Sequence, residues 1–401
     1  MKTRLATLIG ASLVGLGALS TPTMAANDFS FANFQSAITE GDADLTLRYR
    51  YERVSQDNID KTANASTLLT RLSYTSGDFN GFFAVVEFDN VSAIGNENYN
   101  STVNGNVQYP VVADPTDTET NQAYVGYKAG DFVFSAGRQR INHNDQRFIG
   151  GVAWRQNEQT YDGYRLQYNG NQGLHVDYSF IHNVNRIFGT DSPNSDLAGN
   201  LHLLNTHYQI NDKHKVTGFA YSLDFDLANA ISTKTIGASY DGTLAMVTVH
   251  ASLARQSEEG DNPNDFSADY LALELSTPVS GVNLGIGYES LGSDNGVGFS
   301  TPLATLHKFQ GFADKFLNTP AQGVNDLYVK ASGKLGDLKL SAIYHQLESD
   351  VGSIDYGNEL NLVANYPLAK NTGLLLKYAN YSADEFSVDS NKFWAMVTAK
   401  F

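Results

Sequence analysis

Cysteine is absent from the 401 residues of the chain. This absence excludes a disulfide framework and any metal site built on thiolates, so the stability of the fold must come from other interactions. Positive charge is also scarce, since 43 Asp and Glu residues outnumber 27 Lys and Arg residues and the net charge is −16. Nucleic acid binders need a basic surface to contact phosphates, so this acidic chain is not expected to bind nucleic acid.

A long apolar run is missing as well, because beyond residue 26 no uninterrupted run approaches the roughly 20 residues of a membrane-spanning helix. At the N-terminus, Lys2 and Arg4 precede an apolar stretch at residues 5–19 and then small residues. This order is typical of a cleaved secretory signal peptide, and the stretch is too short for the alternative, a membrane anchor. We predict a signal peptide at residues 1–25 and a single exported domain at residues 26–401.

The chain is rich in aromatic residues, with 22 Tyr and 22 Phe, and in segments where apolar and polar residues alternate. Alternation with a period of two is typical of β-strands that have one apolar and one polar face. In the first segment, Leu45, Leu47 and Tyr49 lie opposite Thr46 and Arg48. Eighteen such segments are predicted, at residues 44–53, 66–75, 82–89, 120–128, 131–138, 160–168, 173–182, 200–210, 213–225, 231–240, 243–254, 266–277, 281–290, 324–333, 337–348, 356–366, 372–382 and 391–401.

The connections between these segments alternate between short turns and longer loops. Such asymmetry is typical of a single-chain membrane barrel with tight periplasmic turns and longer outer loops. A sheet in hydrocarbon must close because its edges find no hydrogen-bond partners there. Closing about 18 strands leaves a lumen wide enough for water, whereas one soluble β-sandwich rarely holds so many. We therefore predict an all-β fold, a transmembrane antiparallel up-and-down β-barrel of about 18 strands in the bacterial outer membrane.

One connection, between the strands predicted at 131–138 and 160–168, is too long for a hairpin turn. Its charged residues include Arg140, Asp145, Arg147, Arg155 and Glu158. Loops longer than about 12–15 residues in a compact structure are usually functional or disordered. The segment FIGGVAW between two of these arginines is too apolar to extend into water. We predict that this loop folds into the lumen, packs against the wall and holds its charged side chains at a constriction.

Further arginines lie on the polar faces of predicted strands or at a strand end. They are Arg48, Arg50, Arg71, Arg138 and Arg165. A charged side chain that faces lipid at the middle of the membrane costs roughly 2–4 kcal/mol, so these arginines are predicted to line the lumen. Guanidinium groups there can contact carboxylate- or hydroxyl-rich solutes. Alternatively, each pairs with a neighbouring carboxylate, such as Glu52, Asp162 or Asp177, and braces the wall.

Four stretches resemble the outer-membrane porins of the alginate-export family. They are RYRYERV at 48–54, TLLTRLSY at 67–74, GRQ at 137–139 and NDQRFIGGVAWRQNEQTYDGYR at 144–165. The resemblance implies an 18-stranded barrel and, in the alginate exporter itself, a strongly basic lumen that passes an anionic polysaccharide. The basic constriction that it implies for this chain consists of Arg48, Arg50, Arg71, Arg138, Arg140, Arg147, Arg155 and Arg165.

The last predicted strand carries Phe393, Ala395, Val397 and Ala399 on one face and ends on Phe401. A terminal Phe after alternating apolar residues resembles the signal by which bacterial outer-membrane proteins are recognised for assembly. The outer-membrane assembly machinery is therefore an expected partner, together with the lipid of that membrane.

Catalytic motifs of the types G-x-S-x-G and H-E-x-x-H do not occur, and no cysteine can act as a nucleophile. We therefore predict no catalytic residues, no cofactor and no metal site, and we do not expect an enzyme. Acidic groups such as those in residues 114–119 lie in predicted loops, where carboxylates can bind Ca²⁺, but none matches the EF-hand pattern.

The predicted function is that of a porin. Hydrophilic solutes, acidic or sugar-like small molecules or oligosaccharides, would diffuse down a gradient past an arginine-lined constriction. The alternative is a dedicated export channel for an alginate-like polysaccharide. Two further alternatives are a surface barrel with a structural or adhesive role and an outer-membrane enzyme. An absence of ion current through the protein would reject the pore and favour these alternatives.

Overall fold

The computed structural model describes residues 30–401, so the predicted signal peptide at residues 1–25 lies outside the described residues. One α-helix, α1 (Phe31–Thr39), precedes the strands. In chain order the strands are β1 (Asp42–Gln56), β2 (Ile59–Thr75), β3 (Phe82–Ala93), β4 (Asp117–Ala129), β5 (Phe132–Gln139), β6 (Thr160–Asn169), β7 (Leu174–Asn185), β8 (Asp196–Asn211), β9 (His214–Phe225), β10 (Thr233–Leu244), β11 (Val247–Glu258), β12 (Ser267–Val279), β13 (Val282–Leu291), β14 (Ser293–Asp294), β15 (Val297–Gly298), β16 (Val324–Leu335), β17 (Leu338–Glu348), β18 (Asp355–Ala369), β19 (Thr372–Ser382) and β20 (Ser390–Lys400).

Eighteen of these strands form one antiparallel sheet in which each strand pairs with its neighbours along the chain. The short strands β14 and β15 pair only with each other. The first and last strands of the sheet, β1 and β20, also pair, in a register that runs from Thr46 opposite Lys400 to Gln56 opposite Ser390. The sheet therefore closes into a barrel, and the predicted fold class is confirmed.

The two faces of each strand meet different surroundings. Many outward side chains are apolar and exposed, as in Leu72, Ile236 and Leu253, which are 52%, 64% and 63% exposed. Alternate residues, such as Arg50 and Glu52 on β1, point into the lumen and are buried there. Large exposed apolar surfaces of this kind belong in lipid rather than in water.

The structure corrects two of the predicted connections. The predicted gap at 54–65 is a hairpin, because β1 and β2 extend to the turn at 57–58. The turn between β10 and β11 lies at 245–246, where Ala245 has φ 56°, and not at 241–242. Asp241 is instead a lumen residue opposite His250, and it forms ion pairs with His250 and Lys215. The pair Asp241-Gly242, a sequence typical of hairpin turns, therefore lies within strand β10 and not in a turn.

Apart from the two-residue turn at 57–58, the tight turns lie at the barrel end where the sheet's first strand begins and its last strand ends. The longest connections lie at the opposite end, at residues 94–116, 140–159 and 292–323. Within residues 30–401, no helix has both the length and the apolar character needed to cross a membrane. Helix α1 lies beside the tight turn at 76–81 and was not predicted.

Candidate functional site

Two long loops meet inside the lumen: the inward loop (residues 140–159) and the second loop (residues 292–323). The N–H of Gly150 donates to the carbonyl of Leu303 over 2.9 Å, and the N–H of Thr305 donates to the carbonyl of Gln146 over 3.0 Å. Backbone hydrogen bonds thus join the two loops into one assembly that crosses the lumen.

Aromatic packing explains why the inward loop leaves the surface. Phe148 lies 4.8 Å from Phe219 and 5.2 Å from Tyr270 on the wall, and 6.1 Å from Phe299 of the second loop, measured between ring centroids. Ile149 next to it is fully buried. The apolar segment between Arg147 and Arg155 packs inside the barrel, as the sequence predicted, because the wall supplies apolar partners that water cannot.

Arg147 ties the inward loop to the opposite wall. Its guanidinium donates to Glu289 of β13 over 2.6 Å and to Thr301 of the second loop over 2.9 Å. The guanidinium carbon also lies 4.6 Å from the ring centre of Phe309. With 2% of its surface exposed, Arg147 is a buried and fully engaged cation.

Arg155 lies in a second buried group that joins three loops to β1 and β20. Its guanidinium contacts Glu52 over 3.1 Å and Asp314 over 3.2 Å. Arg50 pairs with the same Glu52 over 2.8 Å and with Asp114, from the connection at 94–116, over 3.4 Å. The remaining cation of the group, Lys392 of β20, pairs with Asp314 over 2.8 Å. Each of these six charged side chains therefore has an opposite charge beside it, as burial requires.

Trp154 stacks at the centre of this group. Its ring is parallel to that of His307, with centroids 4.3 Å apart, and the guanidinium of Arg50 lies 4.3 Å from the Trp154 centroid. The ammonium of Lys377 lies 4.1 Å from the same centroid. Cations over an indole face are stabilised by the ring quadrupole, which compensates part of their desolvation.

His307 is a neutral imidazole in this arrangement. Burial, and then the charge of Lys377, lower its pKa to about 3. Its Nδ1–H donates to Asp314 over 2.7 Å, and its Nε2 accepts from the Lys377 ammonium over 2.7 Å. The imidazole thus links Lys377 of β19 to Asp314 of the second loop through two hydrogen bonds.

Glu158 fixes the other end of the inward loop. It accepts from Arg71 of β2 over 3.0 Å and from Arg140. Burial opposes ionisation of Glu158, but the charges of Arg71 and Arg140 outweigh it and hold its pKa below the ordinary value. Arg71 also binds Asp89 in a bidentate pair at 2.8 and 2.6 Å, and Arg140 contacts Glu87 over 2.8 Å. This group closes the loop against β2 and β3.

The other predicted site residues lie outside these groups. Arg138 pairs with Asp162, and Arg165 with Asp177, between neighbouring strands of the wall. Arg48 donates to the side chain of Gln156 over 2.9 Å and to the main-chain oxygens of two loop residues, 153 and 155. Among residues 30–401, no carboxylate lies within ion-pair distance of Arg48.

Nine of the ten predicted residues form ion pairs, Asp145 through a 3.9 Å contact with Lys308. This pairing matches the alternative in which the arginines brace the wall and the loop. Contact of any of these side chains with solute stays a prediction.

Several members of the assembly were missed by the sequence analysis. They are Lys377, Lys392, His307, Asp314, Asp114 and Glu289. The two lysines carry a usable signal, since they alternate with the lipid-facing residues of β19 and β20 just as Arg48 and Arg50 do on β1. The loop carboxylates carry none, because loops lack a period that assigns side chains to the lumen.

A cavity of about 560 Å³ lies on the long-loop side of the assembly. Arg155, His307 and Asp314 line it, together with Arg186 and Phe188 from the connection between β7 and β8. Its volume is within the range of sites that hold small molecules. No cluster of three or more His, Asp or Glu side chains suited to a metal ion occurs in the part of the chain that the structure describes.

Comparison with solved structures supports the fold. OccAB4 of Acinetobacter baumannii superposes with a TM-score of 0.69 at 16% identity, covering 90% of this chain and 98% of that one. OccK9 (OpdG) of Pseudomonas aeruginosa superposes with a TM-score of 0.70 at 16% identity, covering 91% and 99%. At these identities the likeness shows the fold alone, that of an outer-membrane porin.

Sequence comparison supplies the family. No curated protein matches the chain. The model of the alginate export family, however, matches residues 41–269, which is more than half of the chain and contains the inward loop with its arginines. The chain therefore belongs to the alginate export family and has the closed 18-stranded barrel of an outer-membrane porin.

Proposed function

We propose that this protein is an outer-membrane channel through which small hydrophilic solutes, acidic or sugar-like, diffuse down their gradient. The observation that carries the proposal is the loop assembly across the lumen. Arg147, Arg155 and Glu158 attach the inward loop to different parts of the wall. A loop held in this way narrows the passage to a fixed constriction, and the narrow passage favours small solutes over a bulky polymer.

Arg48 is the cation best placed to act on a passing anion. The other arginines at the assembly have carboxylate partners that cancel most of their charge, whereas Arg48 contacts only neutral oxygens. Arg48 lies two residues before Arg50 on β1. It is therefore nearer to the tight-turn end of the barrel and lies on that side of the inward loop. An uncompensated guanidinium there lowers the energy of a carboxylate that approaches the constriction.

An export channel for a polyanionic polysaccharide is the second candidate, and the description of the family as alginate export favours it. In that case the inward loop and the second loop would have to separate to let a chain pass. Several ion pairs and the backbone bonds between Gly150 and Leu303 would have to break, so this candidate requires a large opening step.

The test is liposome swelling with matched neutral and acidic sugars, together with the reversal potential in planar bilayers under a salt gradient. We expect swelling with monosaccharides and disaccharides, and we expect Arg48→Gln to slow acidic sugars several-fold more than neutral ones. Arg255→Gln is the control, since Arg255 is 64% exposed at the side chain and lies on the outer face of β11.

An absence of swelling and of ion current would reject the channel and favour a structural barrel. Equal effects of the two substitutions on acidic sugars would remove Arg48 from the mechanism. Passage of a long polyanion through the unmodified protein would favour polysaccharide export.

A further inference from the structure

Helix α1 has an apolar face that the described chain leaves uncovered. Phe31, Phe34 and Ile38 are 80%, 47% and 46% exposed. Their spacing of three and four residues places them on one side of the helix. Ser30 caps the helix, because its hydroxyl accepts the backbone N–H of Asn33 over 3.1 Å. The helix is thus a defined, amphipathic element and not a frayed end.

The helix is attached to the outside of the barrel. The N–H of Gly77 donates to the carbonyl of Ala37 over 2.8 Å, and the Tyr74 hydroxyl donates to the carbonyl of Ile38 over 2.5 Å. Tyr74 shares the lipid-facing side of β2 with Leu72, opposite the lumen-facing Ser73. Contact with an outward side chain places the end of α1 on the lipid side of the wall.

The level of the helix is that of the membrane boundary. The ring of Phe34 lies edge-to-face with Phe79 of the turn at 76–81, with centroids 5.6 Å apart. Beside that turn begins a row of outward aromatic pairs at the tight-turn end of the barrel. They are Phe82 with Tyr127, centroids 4.6 Å apart, and Phe132 with Tyr168, centroids 5.0 Å apart. Such aromatic girdles mark the membrane–water interface of outer-membrane barrels.

We propose that α1 is an interfacial anchor whose apolar face lies among the phospholipids of the leaflet on the tight-turn side. The exposed face continues the lipid-facing surface of β2 and β3, so one hydrocarbon layer covers both. The helix contains no Lys or Arg, and Glu40, Asp42 and Asp44 follow it. Anionic headgroups therefore have no electrostatic attraction to it, and the occupant that fits is a zwitterionic phospholipid held by apolar contact.

The proposal is tested by replacing single positions of α1 with Trp in the full-length mature protein. Phe34→Trp and Phe31→Trp put the probe on the apolar face, and Ser36→Trp puts it on the opposite face as a matched control. The proteins are reconstituted in phosphatidylcholine vesicles whose acyl chains carry bromine, a short-range quencher. Native Trp394 is fully buried in the lumen, and the unsubstituted protein supplies the background of both native tryptophans.

We expect bromine to quench the added fluorescence of Phe34→Trp and Phe31→Trp at least several-fold more than that of Ser36→Trp, with emission shifted to the blue. Equal quenching on both faces would overturn the proposal. A blue shift without quenching would also overturn it, because protein and not lipid would then cover the face. Single-channel conductance of each variant checks that the barrel is intact.

Discussion

At the scale of single residues, the lumen contains many charged side chains that are paired with opposite charges. Arg50 and Glu52 are almost fully buried and bind each other, and Arg155 contacts the same carboxylate. Removing one partner of such a pair costs more than the pair contributes, because the other charge stays buried. The arginine fork suits this role, since several N–H groups can satisfy several acceptors at once. Arg48 is an exception, because its guanidinium contacts only neutral oxygens of the inward loop.

His307 is expected to make the loop assembly sensitive to acid. Its pKa is about 3 when buried, against an ordinary value of 6.5, so the unfolded or detached segment binds a proton that the packed ring does not. The stabilisation from the neutral ring is therefore complete above about pH 6.5 and is lost as the pH falls towards 3. We expect single-channel current to become noisier and larger between roughly pH 6 and 5.

His307→Asn isolates this effect, because an amide keeps an N–H for Asp314 and does not titrate. The acid response in that window should be smaller in the variant than in the wild-type protein. Glu158 and Asp314 have lowered pKa values and take up protons only at lower pH, so they do not mask it. An unchanged response in His307→Asn would assign the acid effect to another group.

At the scale of elements, the inward loop is positioned by contacts at both of its ends and in its middle. Glu158 and Arg140 hold its base to β2 and β3, Arg155 binds near β1 and β20, and Arg147 reaches β13. Phe148 and Ile149 add apolar packing between these points. The inward loop is thus packed as part of the wall, and these contacts hold it at one place in the lumen.

Arg147→Met is expected to release the middle of the inward loop. The substitution leaves Glu289 as a buried carboxylate without its cation, which costs about 3–5 kcal/mol. We expect larger conductance and faster proteolytic cleavage within residues 140–159. Adding Glu289→Gln should restore most of the wild-type behaviour, because the remaining partner is then neutral. Wild-type conductance and protease resistance in Arg147→Met alone would mean that the apolar contacts suffice to hold the loop.

At the scale of the whole molecule, closure removes the sheet edges. Eleven residue pairs join β1 to β20, and the backbone of Phe401 exchanges hydrogen bonds of 2.9 and 3.1 Å with Leu45 just beyond the last strand. The side chain of Phe401 is 70% exposed at the tight-turn end. It adds little packing to the closed barrel, so a substitution there tests the predicted recognition role.

Phe401→Ser separates assembly from stability. The backbone bonds with Leu45 remain, so refolded protein should lose less than about 1 kcal/mol of unfolding free energy. In cells, by contrast, the amount of heat-modifiable barrel in the outer membrane should fall strongly, because the terminal aromatic residue is the expected recognition signal. Leu335→Ser is the control, an exposed apolar residue at the same end. Equal loss of assembled barrel in both variants would contradict a recognition role for Phe401.

Much of the fold was predictable from the sequence because the alternation of apolar and polar residues in a membrane strand reflects the surroundings of its two faces. Lipid and lumen lie on opposite faces of every strand, so the period of two in segments such as 44–53 and 391–401 identifies the strand and both of its faces. All eighteen predicted segments are strands of the barrel. The inward position of residues 140–159 was predicted by similar reasoning. The apolar segment between Arg147 and Arg155 needs apolar partners, and the inner wall of the barrel supplies them.

The pairing of charges and the position of α1 depend on contacts between distant segments, which the pattern along the chain does not reveal. Arg155 meets Asp314 across 159 positions of sequence, and that contact exists because the barrel closes and two loops turn inward to the same depth. Alternation within a strand gives no information on contacts between residues so far apart in sequence. Loops have no periodic pattern that would show which of their side chains point into the lumen. Alternation along each strand establishes which face meets water and which meets lipid. Ring closure and loop packing establish which lumen charges neutralise each other and which, like Arg48, have no carboxylate partner within residues 30–401.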